Sequence, residues 1–241
     1  MQVQRRKNSV SPYAFDPPGV VAVPIRGSSM QYPIRRIFCV GRNYEAHARE
    51  MGVAPDREAP FYFTKSAHDY APSGSSMAYP PGTANLHYEM ELVVAIGAPA
   101  FRVPARDALA AVFGYACGLD MTRRDLQFAA RDQRRPWDLG KDFESAAVLA
   151  PIVRVAECGH LDHGHIELRV NGVIRQSSDL NQLIHPVPAL IADLSKYYHL
   201  QPGDLIYTGT PEGVGPVVAS DQLAGSIERL GEITLRITAA E

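Results

Sequence analysis

Residues 88–96 read Tyr-Glu-Met-Glu-Leu-Val-Val-Ala-Ile, and residues 112–119 continue the theme with Val-Phe-Gly-Tyr-Ala-Cys-Gly-Leu before Asp120. Both runs are rich in β-branched, aromatic and apolar residues and read as strands. In the first, alternation sends Glu89 and Glu91 to one face together with Val93 and Ala95, while Met90, Leu92 and Val94 take the other. Two carboxylates on one face beside apolar neighbours repel each other unless a cation or a proton compensates. Asp120 adds a third oxygen donor at the C-terminal end of the second strand. Three carboxylates with no Cys or His nearby suit a hard cation such as Mg²⁺ or Mn²⁺. The competing reading at this point is a solvated acidic strand face, with Asp120 capping the next helix.

Working outward, residues 36–40 (Arg-Ile-Phe-Cys-Val) form a strand that ends at Gly41, and Asn43 can cap a short helix running through Glu50 with Gly52 as its stop. Pro55, Pro60, Pro72, Pro80 and Pro81, with Gly74-Ser75-Ser76, break residues 54–87 into loops and short strands. Thr122 opens a second helix through a Thr-x-x-Asp capping box to Asp125. Further strands are expected over 147–155, 166–170, 205–207 and 233–237, and Asn171-Gly172 signals a type I′ hairpin. A longer helix fits 188–198, where Leu190, Ile191, Leu194, Tyr197 and Tyr198 recur at helical spacing. Residues 1–34, punctuated by Pro17, Pro18, Pro24 and Pro33, read as an arm carrying an edge strand and packing on a main body over 35–241. Strands predominate and helices are few, which predicts an α+β, mostly β domain with mixed sheets.

Composition narrows the class of function. The 241 residues carry 24 Lys and Arg against 26 Asp and Glu, a formal net charge of −2, so no global field favours a polyanion and a nucleic-acid partner is not expected. No apolar run is long enough to span a bilayer, and the basic start has no apolar stretch behind it, so neither a membrane nor a signal peptide is expected. Cys39, Cys117 and Cys158 are odd in number and lie outside any CxxC pattern; they read as reduced thiols of a cytoplasmic protein.

Several residues carry candidate chemistry. His47 and Glu50 lie i, i+3 on the short helix, where the carboxylate can hold one ring nitrogen and leave the other free to deprotonate water. The alternative is a surface ion pair. Gly41 and Gly52 flank that helix and could let it close as a lid. Gln127 and Lys141 could supply donors to an oxyanion. The segment 208–215 (Thr-Gly-Thr-Pro-Glu-Gly-Val-Gly) lacks a P-loop lysine and reads as a shaped turn whose backbone approaches something closely. His160, His163 and His165 sit in a polar connection rather than a metal site, and Arg123-Arg124 and Arg134-Arg135 fit solvated helix faces better than a dianion site. No Gly-x-Ser-x-Gly elbow is present, which disfavours a serine hydrolase.

Taken together, VGRNYEAHAREMG, YEMELVVAIG, GYACGLDMTRRDLQ, RPWDLGKDFE, LRVNGVIRQ and LQPGDLIYTGTPEGVGPV, in this order, resemble the fumarylacetoacetate hydrolase superfamily over about residues 35–238. The resemblance implies a mixed β-sheet roll, a homodimer, and a divalent cation held by Glu89, Glu91 and Asp120: Mg²⁺ or Mn²⁺, with Ca²⁺ able to stand in for it in crystals. It assigns a general-base dyad to His47 and Glu50, polar helpers to Gln127, Lys141 and Thr210, and a place near the substrate carboxylate to Arg42 and Lys65. Ser66 stands where relatives often have Pro, and Glu144 where they often have Asp. The implied reaction is hydrolytic C–C cleavage of an acylpyruvate, a small 2-oxo acid, with fumarylpyruvate giving fumarate and pyruvate. Decarboxylation of oxaloacetate or isomerisation of a 2-oxo diacid on the same platform is the nearest alternative. A non-catalytic metal- or ligand-binding β domain is the alternative from another class.

Overall fold

The computed structural model describes residues 13–50 and 59–240. The main sheet is built from β1 (Arg36–Gly41), β2 (Phe61–Lys65), β3 (Tyr70–Pro72), β4 (Met90–Ile96), β5 (Val112–Asp120), β6 (Ala147–Leu149), β7 (Val153–Arg154) and β8 (Asp204–Tyr207). Its order is β2-β1-β8-β4-β5-β6-β3, with β7 also pairing with β5. β8 runs parallel to β1 and β6 parallel to β3, while β4 is antiparallel to both neighbours, so the sheet is mixed. A second sheet orders the strands Val173–Asp179, His165–Val170, Gln222–Ile227, Gly231–Thr238 and Ser75–Ala78. The helices that matter here are α1 (Glu45–Glu50), α2 (Arg124–Asp132), α3 (Asp138–Lys141) and α4 (Val187–Leu194).

Every residue of β4 is buried, because both faces of the main sheet are covered. Leu92, Val94 and Ile96 join a core shared with Ile166, Leu168 and Ile233 of the second sheet. Val93 and Ala95, on the opposite face, pack with Ile37 and Leu205 and with Val23 and Tyr32 of an N-terminal hairpin formed by Ala22–Pro24 and Gln31–Pro33. The alternation expected from the sequence is therefore realised within β4, where Glu91 extends the Val93 face as Asp120 does on β5; the expected strand 88–96 breaks at Glu89, because Leu86–Tyr88 pairs in a separate three-stranded sheet. Glu91 stands opposite Gly118, where a Cβ would meet Val93 Cγ2 at 2.5 Å and Tyr207 Cε1 at 2.7 Å. Any larger residue there would displace the ring that packs against the acidic end of the sheet.

Four further local expectations need correction. The run 147–155 is two strands, because Pro151 has no N–H to continue a ladder and the chain changes partner: Ala150 donates to Cys117 O and Ile152 to Pro24 O. Helix α2 starts at Arg124, since Thr122 is extended opposite His87 and its hydroxyl accepts from Lys141, while Asp125 accepts from Thr83 and Ala84 instead of closing a capping box. Helix α4 ends at Leu194, whose carbonyl collects the amides of Tyr197 and Tyr198 in a closing turn. The arm carries a hairpin rather than one strand. Asn171 and Gly172 take φ of +52° and +79°, as a type I′ turn requires. Gly52 and residues 1–12 lie outside the described residues.

Candidate active site

Glu89, Glu91 and Asp120 are all buried and come together, each offering a carboxylate oxygen within 4.8 Å of the others. Among the described residues they are the one such group of three or more metal-ligating side chains. Three cations from separate elements surround them. Lys141, at the end of α3, directs its ammonium to Glu89 Oε2, Asp120 Oδ2 and Thr122 Oγ1, each at 2.8 Å. Arg124, at the start of α2, donates to Glu89 Oε1 at 2.5 Å and to Gln127 Oε1 at 2.6 Å. Lys65, at the end of β2, lies 2.8 Å from Asp120 Oδ1 and donates to the carbonyls of Met121 and Lys141.

Electrostatics divides the three carboxylates. Burial opposes the charge on Glu89, but Lys141 and Arg124 outweigh it and hold that carboxyl below its ordinary value. Glu91 has one directed partner, the Gly209 amide at 2.7 Å; burial, Asp120 and Glu89 together push it well above the usual range. Burial works against the Lys141 charge, yet Asp120 and Glu89 raise it above its usual value, so the ammonium stays protonated. Asp120 Oδ1, close to Lys65, accepts no well-directed hydrogen bond. A cluster in which burial and neighbouring carboxylates oppose the charge on Glu91, with one Asp120 oxygen undirected and only oxygen donors on offer, fits a hard divalent cation.

The His47–Glu50 pair stands beside the cluster. His47 is buried on α1 with Nδ1 3.1 Å from Glu50 Oε2, and Glu50 also accepts from the Gly213 amide at 3.1 and 3.2 Å. Burial raises the Glu50 carboxyl, but the His47 hydrogen bond and the Gly213 amide override it and leave it lowered. Gly209 and Gly213 have φ of +99° and +89°, and a Cβ on Gly213 would meet Arg175 O at 2.0 Å. The Gly-rich turn thus approaches both site carboxylates with its backbone, as its composition suggested.

Arg42, His47, Gln127, Lys141 and Thr210 border the same cavity as Glu89 and Glu91. Lys65 and Asp120 lie beneath it. Thr210 Oγ1 donates to Met90 O and accepts from Gln176, so its hydroxyl braces the start of β4. Asn43 does not cap α1: its side chain donates to Thr208 O and His185 O and accepts from the His185 amide, tying the entry of α1 to the Gly-rich turn. Arg124 is the correction of most consequence. It is 1% exposed rather than part of a solvated face, and its i, i+3 relation to Gln127 was the available signal. His160, His163 and His165 pair separately with Tyr115, Asp162 and Glu167 and share no site.

A mixed-sheet roll that gathers three buried carboxylates, their cationic neighbours and a His–Glu pair around one cavity defines a divalent-metal-dependent enzyme for a small anionic molecule. The chain belongs to the fumarylacetoacetate hydrolase family, whose Fumarylacetoacetate (FAA) hydrolase C-terminal model matches residues 36–238. A fumarylpyruvate hydrolase of Ralstonia sp. is 56% identical over 193 residues, 79% of this chain and all of that protein. A human mitochondrial oxaloacetate tautomerase is 39% identical over 207 residues, 86% of this chain and 93% of that one. The crystal structure of fumarylpyruvate hydrolase from Pseudomonas aeruginosa in complex with Mn²⁺ and pyruvate is similar with a TM-score of 0.92 at 47% identity, covering 94% of this chain and 99% of that chain.

Proposed function

We propose that this protein is a divalent-metal-dependent hydrolase that cleaves a C–C bond of an acylpyruvate, converting fumarylpyruvate and water to fumarate and pyruvate. The observation that carries this reading is the buried Glu89, Glu91 and Asp120 cluster, of which Glu89 and Glu91 border the same cavity as His47. Those three carboxylates would hold Mg²⁺ or Mn²⁺, which when bound supplies Lewis acidity toward a 2-oxo acid.

The protein's own groups do the rest. Glu50 fixes His47 through Nδ1, so Nε2 is the nitrogen that takes a proton from water. The water oxygen adds to the carbonyl remote from the pyruvyl carboxylate. Gln127 accepts from Arg124 through Oε1, which leaves its amide N–H groups to donate into the cavity toward the developing oxyanion; Lys141, whose three N–H groups are held by Glu89, Asp120 and Thr122, adds its positive charge. Collapse breaks the bond to the pyruvyl methylene carbon, which takes up a proton as the acyl part leaves as a carboxylic acid. Arg42 borders the cavity and helps to orient the substrate, whereas Lys65, buried and outside the cavity lining, acts at one remove by holding Asp120. Residues 35–241 act as the catalytic unit with 1–34 as an arm, in a cytoplasmic homodimer without nucleic-acid or membrane partners; no helix among the described residues is long and apolar enough to cross a membrane.

The likeness to an oxaloacetate tautomerase supports a second reading, proton transfer on a 2-oxo diacid without an attacking water. A panel of fumarylpyruvate, acetylpyruvate and oxaloacetate, run with Mn²⁺ and with chelator in H₂¹⁸O, separates the two. Hydrolysis places ¹⁸O in the acid product and stops with chelator. Turnover of oxaloacetate alone, with no label incorporated, would replace hydrolysis by the second reading.

A further inference from the structure

Helix α2 points one stripe of side chains at the cavity. Arg124, Gln127 and Arg131 are spaced i, i+3 and i+7, and all three border it together with Phe128. The rise from Arg124 to Arg131 is about 10 Å at 1.5 Å per residue. Arg124 marks the carboxylate end and Arg131 the mouth, where its guanidinium lies 4.5 Å from the Phe128 ring centroid. Arg42 faces the same opening, held at φ +60° with its guanidinium 5.9 Å from the Trp137 centroid, and no carboxylate pairs with it among the described residues. A non-glycine residue in the left-handed region costs free energy, a cost that sites tolerate where a side chain must be aimed.

Charge accounting gives the mouth its meaning. At the inner end Lys65, Lys141 and Arg124 balance Glu89, Glu91 and Asp120. At the mouth, among the described residues, Arg131 pairs only with its chain neighbour Asp132, at 3.0 Å and 67% exposed, a pair that water screens. The adjoining cavity shares Arg42, Arg131 and Trp137 and adds Arg134 and Arg135 against the single carboxylate Asp138. Unbalanced positive charge therefore collects about one substrate length from the carboxylate cluster.

We propose that Arg131, with Arg42 across the opening, receives a carboxylate at the far end of the acyl arm, so that the enzyme selects acylpyruvates whose acyl group is itself anionic. This rests on the acylpyruvate reading above. The six C–C bonds between the two carboxylates of fumarylpyruvate, each about 1.5 Å, reach a span comparable to the rise along α2. Aromatic faces of Phe128 and Trp137 flank the path of the planar, unsaturated arm.

The test is the ratio of kcat/KM for fumarylpyruvate to that for acetylpyruvate, measured with saturating Mn²⁺ in the parent, Arg131→Gln and Arg131→Lys, with matched melting curves as the folding control. Losing a charged hydrogen-bond partner at a half-exposed site should lower the ratio about 10- to 30-fold in Arg131→Gln, through the KM of the diacid, and Arg131→Lys should recover part of it. Added salt should lower the ratio in the parent. An unchanged ratio, or an equal fall on both substrates, would overturn the assignment of Arg131 and leave the acylpyruvate reading standing. A parent that cleaves neither substrate would overturn that reading and this one with it.

Discussion

Replacing Lys141 by methionine keeps most of the side chain's length and removes one charge from the middle of the carboxylate cluster. In the parent its ammonium is 2.8 Å from Glu89, Asp120 and Thr122, and its side chain is 2% exposed. The variant leaves Glu89 with Arg124 and Asp120 with Lys65, two cations where three had balanced three carboxylates. Removing one partner of a buried ion pair costs about 3–5 kcal/mol, and the lower end applies because a carboxyl here can take up a proton. For a chain of this length each kcal/mol moves Tm by about 2–4 °C, so the metal-free variant should melt about 6–12 °C below the parent. A divalent cation restores the missing positive charge. The gain in Tm on adding Mn²⁺ should therefore be larger in the variant than in the parent, provided the variant still binds it. Thermal melts with chelator and with Mn²⁺ read both quantities. A variant that melts within about 2 °C of the parent in chelator, a change of about 1 kcal/mol or less, would refute the charge-balance argument.

His47→Gln and Glu50→Gln should each lower kcat by about 10²–10⁴ while leaving Mn²⁺ binding by calorimetry intact; parent-level hydrolysis in either would remove the dyad from the mechanism. Asp120→Ala should abolish both calorimetric Mn²⁺ binding and turnover, and full metal affinity in that variant would move the cation elsewhere. Asp69 and Asp142 both accept the Ser66 amide, at 3.2 and 2.6 Å; burial and the Asp142 carboxylate push Asp69 up to about 8. The folded state then binds a proton more tightly than the unfolded chain, so this stability is complete below pH of about 4 and is lost as pH rises toward about 8, by at most about 1.4 kcal/mol per unit. Asp69→Asn should flatten the decline seen in denaturant melts between about pH 5 and 8, and an unaltered slope would show that Asp69 does not hold that proton.

The residues differ in how plainly the sequence announced them, and the difference is one of range. Strand alternation is local, so the two faces of β4 were readable from its own residues; the break at Glu89, where the chain passes from the sheet of Leu86–Tyr88 to that of Met90–Ile96, was not, because it depends on distant strand partners. The i, i+3 relation of His47 and Glu50 was local too. Arg124 was misread because two arginines at a helix start resemble a solvated face; only Glu89, 35 positions earlier, shows why one of them is buried. Thr122 looked like a cap because its hydroxyl chemistry suits one, but Lys141 competes for that oxygen and the helix begins two residues later. Asn43 fails as a cap for the same reason: Thr208 and His185 claim its side chain from more than 140 positions away. Polar groups able to make local bonds are the ones that tertiary partners most readily redirect.

The Gly-rich turn deserves a role beyond shape, because it joins the two halves of the proposed chemistry. The Gly209 amide holds Glu91, the carboxylate on the cation side, and the Gly213 amide holds Glu50, the carboxylate that orients the base. Five residues of one turn, Gly209 to Gly213, thus set the separation between the proposed cation and base, and Asn43 pins α1 to that turn through Thr208. Both glycines occupy left-handed φ, and a Cβ at Gly209 would come within 2.7 Å of Asn43 Cβ. A side chain there would push α1 away from the turn while leaving all five site side chains unchanged in type. Such a shift of about 1 Å is enough to slow a reaction that depends on the alignment of water, base and carbonyl. In the proposed mechanism the turn would act on rate through distance, without any of its atoms touching the bond that breaks.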